Sequence, residues 1–213
     1  MDGLTVACVY RPGGGFSDDY VYRLRDGVDK HSYVHDRFVC LTNQKMPGIE
    51  TISFEQNWPG WWSKLELFRP GLFSGRVAYF DLDTMIVGGI SDLITDESDF
   101  ISLTNWKGSG THVNSGVMSW NADLDFGRVY SEFHPRMISA YEQSWEKWGD
   151  QAFIQERLPV PFASYNEKYP ERIVSYKLHV RKLGKVPKAA SVVAFHGKPR
   201  PAAIGWKLPE RAT

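Results

Sequence analysis

RVAYFDLDTMIVGG, residues 76–89, joins a run apolar enough to be a buried strand to two carboxylates one residue apart, Asp81 and Asp83. Side chains of a strand alternate between its faces, and here both phases are apolar (Val77 and Tyr79, Ala78 and Phe80). This predicts a strand covered on both sides, as in the parallel sheets of α/β folds. Ionised carboxylates are costly to bury unless they are paired or bound to a metal. Asp81 and Asp83 therefore belong at the C-terminal end of the strand, where the chain leaves the core. In an open α/β sheet that rim is where ligands bind.

Outward from this strand the pattern is consistent. LTVACVY (4–10) reads as a strand, RPGGGFS as a glycine turn, and DDYVYRLRDGVDKH (18–31) as a helix with Tyr20, Leu24 and Val28 on one side. DRFVCLTN (36–43) follows as a strand, so the chain opens with a βαβ unit, which predicts a parallel sheet and a right-handed crossover. GIETISFE (48–55) is a candidate third strand and SKLELFRPG (63–71) a short helix stopped by Pro70 and Gly71. Beyond residue 87, Gly88 and Gly89 mark a turn, DFISLT (99–104) a strand, and HVNSGVMSW (112–120) a polar segment entering an apolar run. DFGRVYSEFHPRMISAYEQSW (125–145) reads as a helix interrupted at Pro135, GDQAFIQERL (149–158) as a helix beginning at Asp150, and IVSYKLHV (173–180) and SVVAFH (191–196) as late strands. RPGGGFS and KPRPAAIGW are expected to be mobile loops.

The length of 213 residues suits a single domain over 1–213, and 42% hydrophobic against 23% charged residues is the balance of a folded globule. Lys plus Arg is 25 and Asp plus Glu is 25, so no global field holds a nucleic acid or an anionic membrane, and an anionic ligand must be met locally. Cys8 and Cys40 lie in strand-like runs without metal-type spacing and are expected to be buried thiols in a reducing compartment. MDGLTVACVY has no basic segment followed by a long apolar one, and no stretch approaches the ~20 apolar residues of a membrane span; a cytoplasmic protein without an anchor is expected.

Four segments carry candidate chemistry. A strand turning outward at its end can bring Asp81 and Asp83 toward one cation, and hard oxygen ligands suit Mg²⁺ or Mn²⁺ shared with phosphate oxygens; taken alone, the pair can equally cap a turn. In HVNSGVMSWN, Asn114 and Ser115 can hydrogen-bond hydroxyls of a ligand while Gly116 allows close backbone approach, or the segment is a polar turn. WGDQAF places Asp150 and Gln151 at a helix start, where Asp150 is also a natural N-cap. In VVAFHGKPRP, His196 follows an apolar run and can ligate a metal or be structural, with Gly197 and Lys198 near enough to approach a phosphate. Lys64, in WWSKLEL, reads on its own as a solvated helix charge.

The order of these pieces, KLELF, VAYFDLDTMIVGGISDLI, VNSGVMSWN, GDQAF and VVAFHGKPRP, resembles glycosyltransferase family 8, the glycogenin and bacterial galactosyltransferase-like group with a GT-A fold, over roughly residues 4–201. The resemblance implies an α/β GT-A domain, a Rossmann-like, mostly parallel sheet flanked by helices. It implies transfer of a sugar, with retention of configuration, from a nucleotide-sugar (usually a UDP-sugar) with Mn²⁺ bridging the diphosphate. By position, Asp81, Asp83 and His196 match the metal ligands and Lys64 a lysine near the donor. Asn114 and Ser115 fall on the sugar-lining NSG segment, and Asp150 and Gln151 on the pair beside the transferred sugar. Gly197 and Lys198 match the family's glycine and phosphate-contacting lysine, while Val9 and Tyr10 lie where the base is held, with Tyr20 as its stacking partner. The family's usual KPW ending appears here as GKPRPAAIGW, so Lys198 or Arg200 fills the lysine's role.

Retention by front-face attack and by a covalent intermediate on Asp150 or a neighbour both remain open. The acceptor is expected to be a soluble or protein-borne glycan, with Trp58, Trp61 and Trp62 as candidate stacking rings, since the residues after His196 include no amphipathic basic helix and no membrane span. Two rival readings are a haloacid dehalogenase-like phosphatase built on Asp81 and Asp83, and a sugar- or nucleotide-binding module without catalysis. Met85 departs from the phosphatase signature, and a binding module has no need of the DQ pair.

Overall fold

The computed structural model describes residues 3–106, 111–142 and 149–212. Among the described residues, ten strands form two sheets. The strands are β1 (Leu4–Val9), β2 (Arg37–Leu41), β3 (Glu50–Ile52), β4 (Arg76–Phe80), β5 (Thr84–Ile86), β6 (Phe100–Thr104), β7 (Val113–Asn121), β8 (Ala163–Ser164), β9 (Ile173–Ser175) and β10 (Val192–Ala194). Seven form a twisted sheet in the order β3-β2-β1-β4-β7-β6-β8, and β5-β10-β9 form a second, smaller one. The β3, β2, β1 and β4 pairings are parallel, β7 runs antiparallel to both β4 and β6, and β8 is parallel to β6.

Period-two alternation sorts the large sheet's side chains as the strand reading requires. Val6, Cys8, Ala78 and Phe80 face one core with Tyr20, Val21, Leu24 and Val28 of the helix Asp19–His31. Ala7, Val77 and Tyr79 face the other, filled by Trp62, Leu65, Phe68, Phe153 and Ile154. The helix Asp19–His31 is begun by Asp18, whose carboxylate accepts from Asp19 N–H, and carries Lys30 and His31 in its last turn, where the dipole favours cations. Its Gly27 lets the smaller sheet approach: a Cβ there would stand 3.1 Å from Ile86 Cβ. Cys8 and Cys40 are free, fully buried and directly paired in register across β1 and β2.

Four segments differ from the sequence reading. IVSYKLHV is a strand only through Ser175, after which Tyr176–Val180 forms a π-helical turn. That turn is closed by side chains: Ser175 Oγ accepts from Leu178 N–H, and His179 Nδ1 accepts from Ser175 N–H. The 125–145 helix is divided into Gly127–Ser131, a 3₁₀ turn at Pro135–Met137 and Ile138–Glu142, and residues 143–145 lie outside the described residues. KPRPAAIGW contains a 3₁₀ turn, Pro201–Ile204, with Pro201 buried and Trp206 packed 4.5 Å from Tyr20. The expected short helix at 63–71 is a 3₁₀ segment, Gly60–Phe68, buried from Trp62 onward.

Phe153 is fully buried among Phe133, Tyr141 and Trp62 and fastens the helix Asp150–Arg157 to the sheet. Phe153→Ala should destabilise the protein by about 3–5 kcal/mol in urea unfolding, the cost of emptying a well-packed aromatic site. A loss below about 1 kcal/mol would show that this helix does not depend on that packing.

Candidate active site

The order of the large sheet reverses between β1 and β4, so their C-terminal ends flank a crevice, the usual ligand position in open α/β sheets. Because β7 is antiparallel to β4, its first residues lie at that same rim: Phe80 pairs with Val117, and Asp81 N–H donates to the Gly116 carbonyl at 2.8 Å. Asp81 continues the phase of Tyr79, whose hydroxyl donates to Asp81 Oδ1, and so faces the Gly60–Phe68 segment. A Cβ on Gly116 would lie 3.1 Å from Asn114 Oδ1 and 3.4 Å from Asp81 Oδ2, so glycine is what allows this approach.

Lys64 comes from that segment and is only 4% exposed. Its ammonium lies 3.0 Å from Asp81 Oδ1 and 3.2 Å from Asp150 Oδ2, and donates to Ser115 Oγ at 3.0 Å and the Ser115 carbonyl at 3.1 Å. Ser115 Oγ in turn donates to Asp150 Oδ2 at 2.7 Å. Burial opposes the charge on Lys64, but Asp150 and then Asp81 outweigh it and leave the ammonium harder to deprotonate than a free lysine. Burial likewise pushes the Tyr79 phenol up, with Asp81 adding to it. Four side chains from β4, β7 and two helices are thus joined at one ammonium.

Asp83 follows on the turn closed by Thr84 N–H to the Asp81 carbonyl, at 3.0 Å. Desolvation and then the neighbouring Asp81 push its carboxyl up to about 7, against the pull of Arg200 and Lys64. The Phe195 N–H donates to the Asp83 carbonyl at 3.0 Å, which ties the end of β10 to this turn and places His196 beside it. His196 Nε2 shares a 2.6 Å hydrogen bond with Ser175 Oγ, and Trp106 stacks on the ring at 5.5 Å.

Two cavities meet here. One of about 470 Å³ is walled by Val9, Arg11, Phe16, Tyr79 and Arg200 among others. The other, of about 830 Å³, is walled by Asn105, Trp106, Asn114, Ser115, Asp150, Gln151, Lys177 and His196 among others. Trp61, Lys64, Asp81, Asp83 and Gly197 line both. Trp58 and Trp62 are buried, whereas Trp61 is 58% exposed, with its indole nitrogen 3.3 Å from where a Cβ on Gly149 would stand.

The structure therefore brings together Val9, Lys64, Asp81, Asp83, Asn114, Ser115, Asp150, Gln151, His196 and Gly197, and leaves three candidates off these walls. Tyr10 and Tyr20 are 7% and 3% exposed within the core, and Phe16, 5.0 Å from Tyr20, is a ring that lines the smaller cavity together with Trp61 and Tyr79. Lys198 is exposed outside, while the Arg200 guanidinium lies over Phe16 at 3.7 Å with its Nη1 buried and unpartnered. Arg11, Phe16 and Trp106 were not legible as site residues. Arg11 and Phe16 border a Gly-rich loop, the one cue that marked them.

The donor set suits a divalent cation in its chemistry: two hard carboxylates whose mutual repulsion a cation relieves, with an imidazole on the same wall. Among the described residues, no three His, Cys, Asp or Glu side chains are grouped so that they could hold a metal ion, so Asp81, Asp83 and His196 share a wall without forming one ligand set.

No protein-family model matches the sequence, and no curated protein matches it. Solved structures do. The glycosyltransferase GlyE of Streptococcus pneumoniae TIGR4 superposes with a TM-score of 0.60 at 15% identity, covering 94% of this chain and 56% of GlyE. The galactosyltransferase LgtC, solved in complex with donor and acceptor sugar analogues, gives 0.52 at 16%, covering 92% of this chain and 88% of LgtC. A glycosyltransferase involved in glycosylating the major capsid of PBCV-1 gives 0.52 at 14%, covering 90% and 93%. The chain thus spans little more than half of GlyE and nearly all of the other two. These likenesses establish the fold as the mixed α/β GT-A type of those glycosyltransferases.

Removing the ammonium strands two carboxylates against each other. Lys64→Met should cost about 3–5 kcal/mol in guanidinium unfolding at neutral pH, and adding Asp150→Asn should recover part of the loss. A single variant as stable as wild type would contradict the central place of Lys64.

Proposed function

We propose that the chain transfers a hexose from a nucleotide-sugar, UDP-hexose, to a glycan or protein-borne glycan, with retention of configuration and dependence on Mn²⁺ or Mg²⁺. The observation that carries this reading is the meeting of two cavities at Lys64, Asp81 and Asp83 on a GT-A sheet rim. The smaller cavity, beside the end of β1, suits the nucleotide. The larger, with amide groups at Asn105, Asn114 and Gln151 and aromatic walls at Trp61 and Trp106, suits sugar rings, which present hydroxyls at their edges and C–H faces to indoles.

Asp81 and Asp83 would hold the cation, and His196 would join them only by leaving its hydrogen bond to Ser175 Oγ. A bound cation would neutralise charge developing on the diphosphate as the glycosidic bond breaks. Arg200, with an unpartnered buried nitrogen on the nucleotide side, is better placed than Lys198 to meet that diphosphate. Lys64 is better described as the holder of Asp81 and Asp150 than as a free phosphate contact, because all its neighbours are already protein oxygens. Asp150 and Gln151 line the larger cavity, where the transferred sugar would lie. The dehalogenase-like reading loses support because Asp81, which would act as nucleophile, is engaged at Oδ1 by both Lys64 and Tyr79.

In a thermal-shift comparison of UDP, GDP, CDP and ADP with and without Mn²⁺, UDP with Mn²⁺ should stabilise most, by ~2.7 kcal/mol near 100 times its Kd. Asp83→Asn should remove the Mn²⁺-dependent part and leave the fold intact. Nucleotide binding in the wild type that is indifferent to metal would overturn the metal assignment.

A charge-assisted hydrogen bond is worth about 1.5–3 kcal/mol, so Arg200→Ala should weaken UDP by roughly 10–100-fold and uridine much less, while Lys198→Ala changes neither. Equal weakening of UDP and uridine by the Arg200 change would make Arg200 a structural residue.

A further inference from the structure

The chain has no formal net charge, yet between Glu171 and Glu210 it holds nine Lys and Arg and no Asp or Glu. Two of the nine are occupied elsewhere: Arg172 is paired with Asp92 at 2.6 Å, and Arg200 faces the smaller cavity. Lys198 and Lys207 lie further along the chain, and the other five, Lys177, Arg181, Lys182, Lys185 and Lys188, fall on or just after the π-helical turn Tyr176–Val180 and the short helix Arg181–Leu183, which Gly184 ends in the left-handed conformation at φ 67°. Arg181, Lys182, Leu183, Gly184 and Lys185 are all exposed, Leu183 at 57%. Arg181, Lys182 and Lys185 form no ion pair among the described residues.

The positive surface extends sideways. The Lys188 carbonyl accepts from Arg211 Nη1 at 2.9 Å, which sets a guanidinium beside the exposed Lys188. Lys30 and Arg211 each lie near enough to His31 to disfavour its charged form, after burial. Glu171, which favours the charged form of His179, and Glu210, whose carbonyl accepts from Val186 N–H, are carboxylates at its margin.

Like charges crowded on one surface repel, and such a surface is suited to an anionic partner. The shape favours one class of partner. A polyanionic chain is held in a groove, but none of Arg181 to Lys188 walls a cavity described above. A projecting turn with an apolar side chain between cations matches a lipid surface, where ammonium and guanidinium groups meet phosphates and a leucine enters the headgroup layer.

We propose that the turn Arg181–Lys185 docks this protein on an anionic bilayer. Lys177, at the start of the same basic run, lines the larger cavity, so docking would hold the mouth of that cavity toward the lipid surface. The inference rests on charge and exposure and stands independently of sugar transfer.

The test is flotation of the full chain with vesicles of phosphatidylcholine alone or with about 30% phosphatidylglycerol, in low salt and in about 0.5 M NaCl. Binding to the anionic vesicles should exceed binding to the neutral ones by at least about tenfold and be lost in high salt. The Arg181→Glu, Lys182→Glu, Lys185→Glu triple variant should lose about tenfold or more. Leu183→Ser, which keeps every charge, should lose several-fold; both variants should melt like the wild type, because the altered side chains are exposed. Equal binding to both vesicles, or a triple variant that binds like wild type, overturns the proposal. So does a Leu183→Ser variant that binds like wild type while soluble heparin competes fully, which would assign the surface to a polyanionic chain.

Discussion

One ammonium group holds the rim of this sheet together. Lys64 Nζ meets Asp81 from the end of β4, Ser115 from the start of β7 and Asp150 from the first turn of a helix, with a single exposed edge left to the cavities. Two carboxylates cannot share a buried site uncompensated, so the position of Lys64 sets where Asp81 and Asp150 rest. The antiparallel direction of β7 makes this possible, since it returns Asn114, Ser115 and Gly116 to the rim that the parallel strands already reach. Tyr79 and Gly116 complete the arrangement, one donating to Asp81 and the other leaving space for it.

Asp83 has the opposite character. It stands beside Asp81 without a lysine of its own, and burial keeps it reluctant to ionise. The rim thus holds one carboxylate paired directly with a protein ammonium and one that burial and its neighbour leave reluctant to ionise. Around it the two cavities take different linings. The smaller cavity carries cations resting on rings, with Arg11 over Phe54 and Arg200 over Phe16. Amides and indoles line the larger one, and Trp61 belongs to both.

Much of this was legible in the sequence where a local pattern has one physical meaning. The double-phase apolar run before Asp81 placed that carboxylate at a strand end, and Tyr20, Leu24 and Val28 form the buried side of the first helix as their spacing requires. Direction was not legible: the apolar content of 113–121 is the same for a parallel or an antiparallel strand. The alternation of Tyr176, Lys177, Leu178, His179 and Val180 imitates a strand, and hydrogen bonds from Ser175 and His179 decide otherwise. Lys64 reads as a solvated charge because its partners are 17, 51 and 86 residues away along the chain. Lys198 and Arg200 are indistinguishable by charge and spacing, and only the turn that buries Pro201 shows which one faces the cavity.

The division of the rim makes sense if a sugar passes from one cavity to the other across Lys64, Asp81 and Asp83. Proton NMR of the anomeric signals, followed from the first minutes of incubation with UDP-hexoses and Mn²⁺, tests this most directly. The account predicts slow release of free sugar in the absence of acceptor, appearing first as the α-anomer that the donor carries. An initial β-anomer would contradict retention, and donors left wholly intact under conditions where UDP binds would contradict sugar transfer at this site.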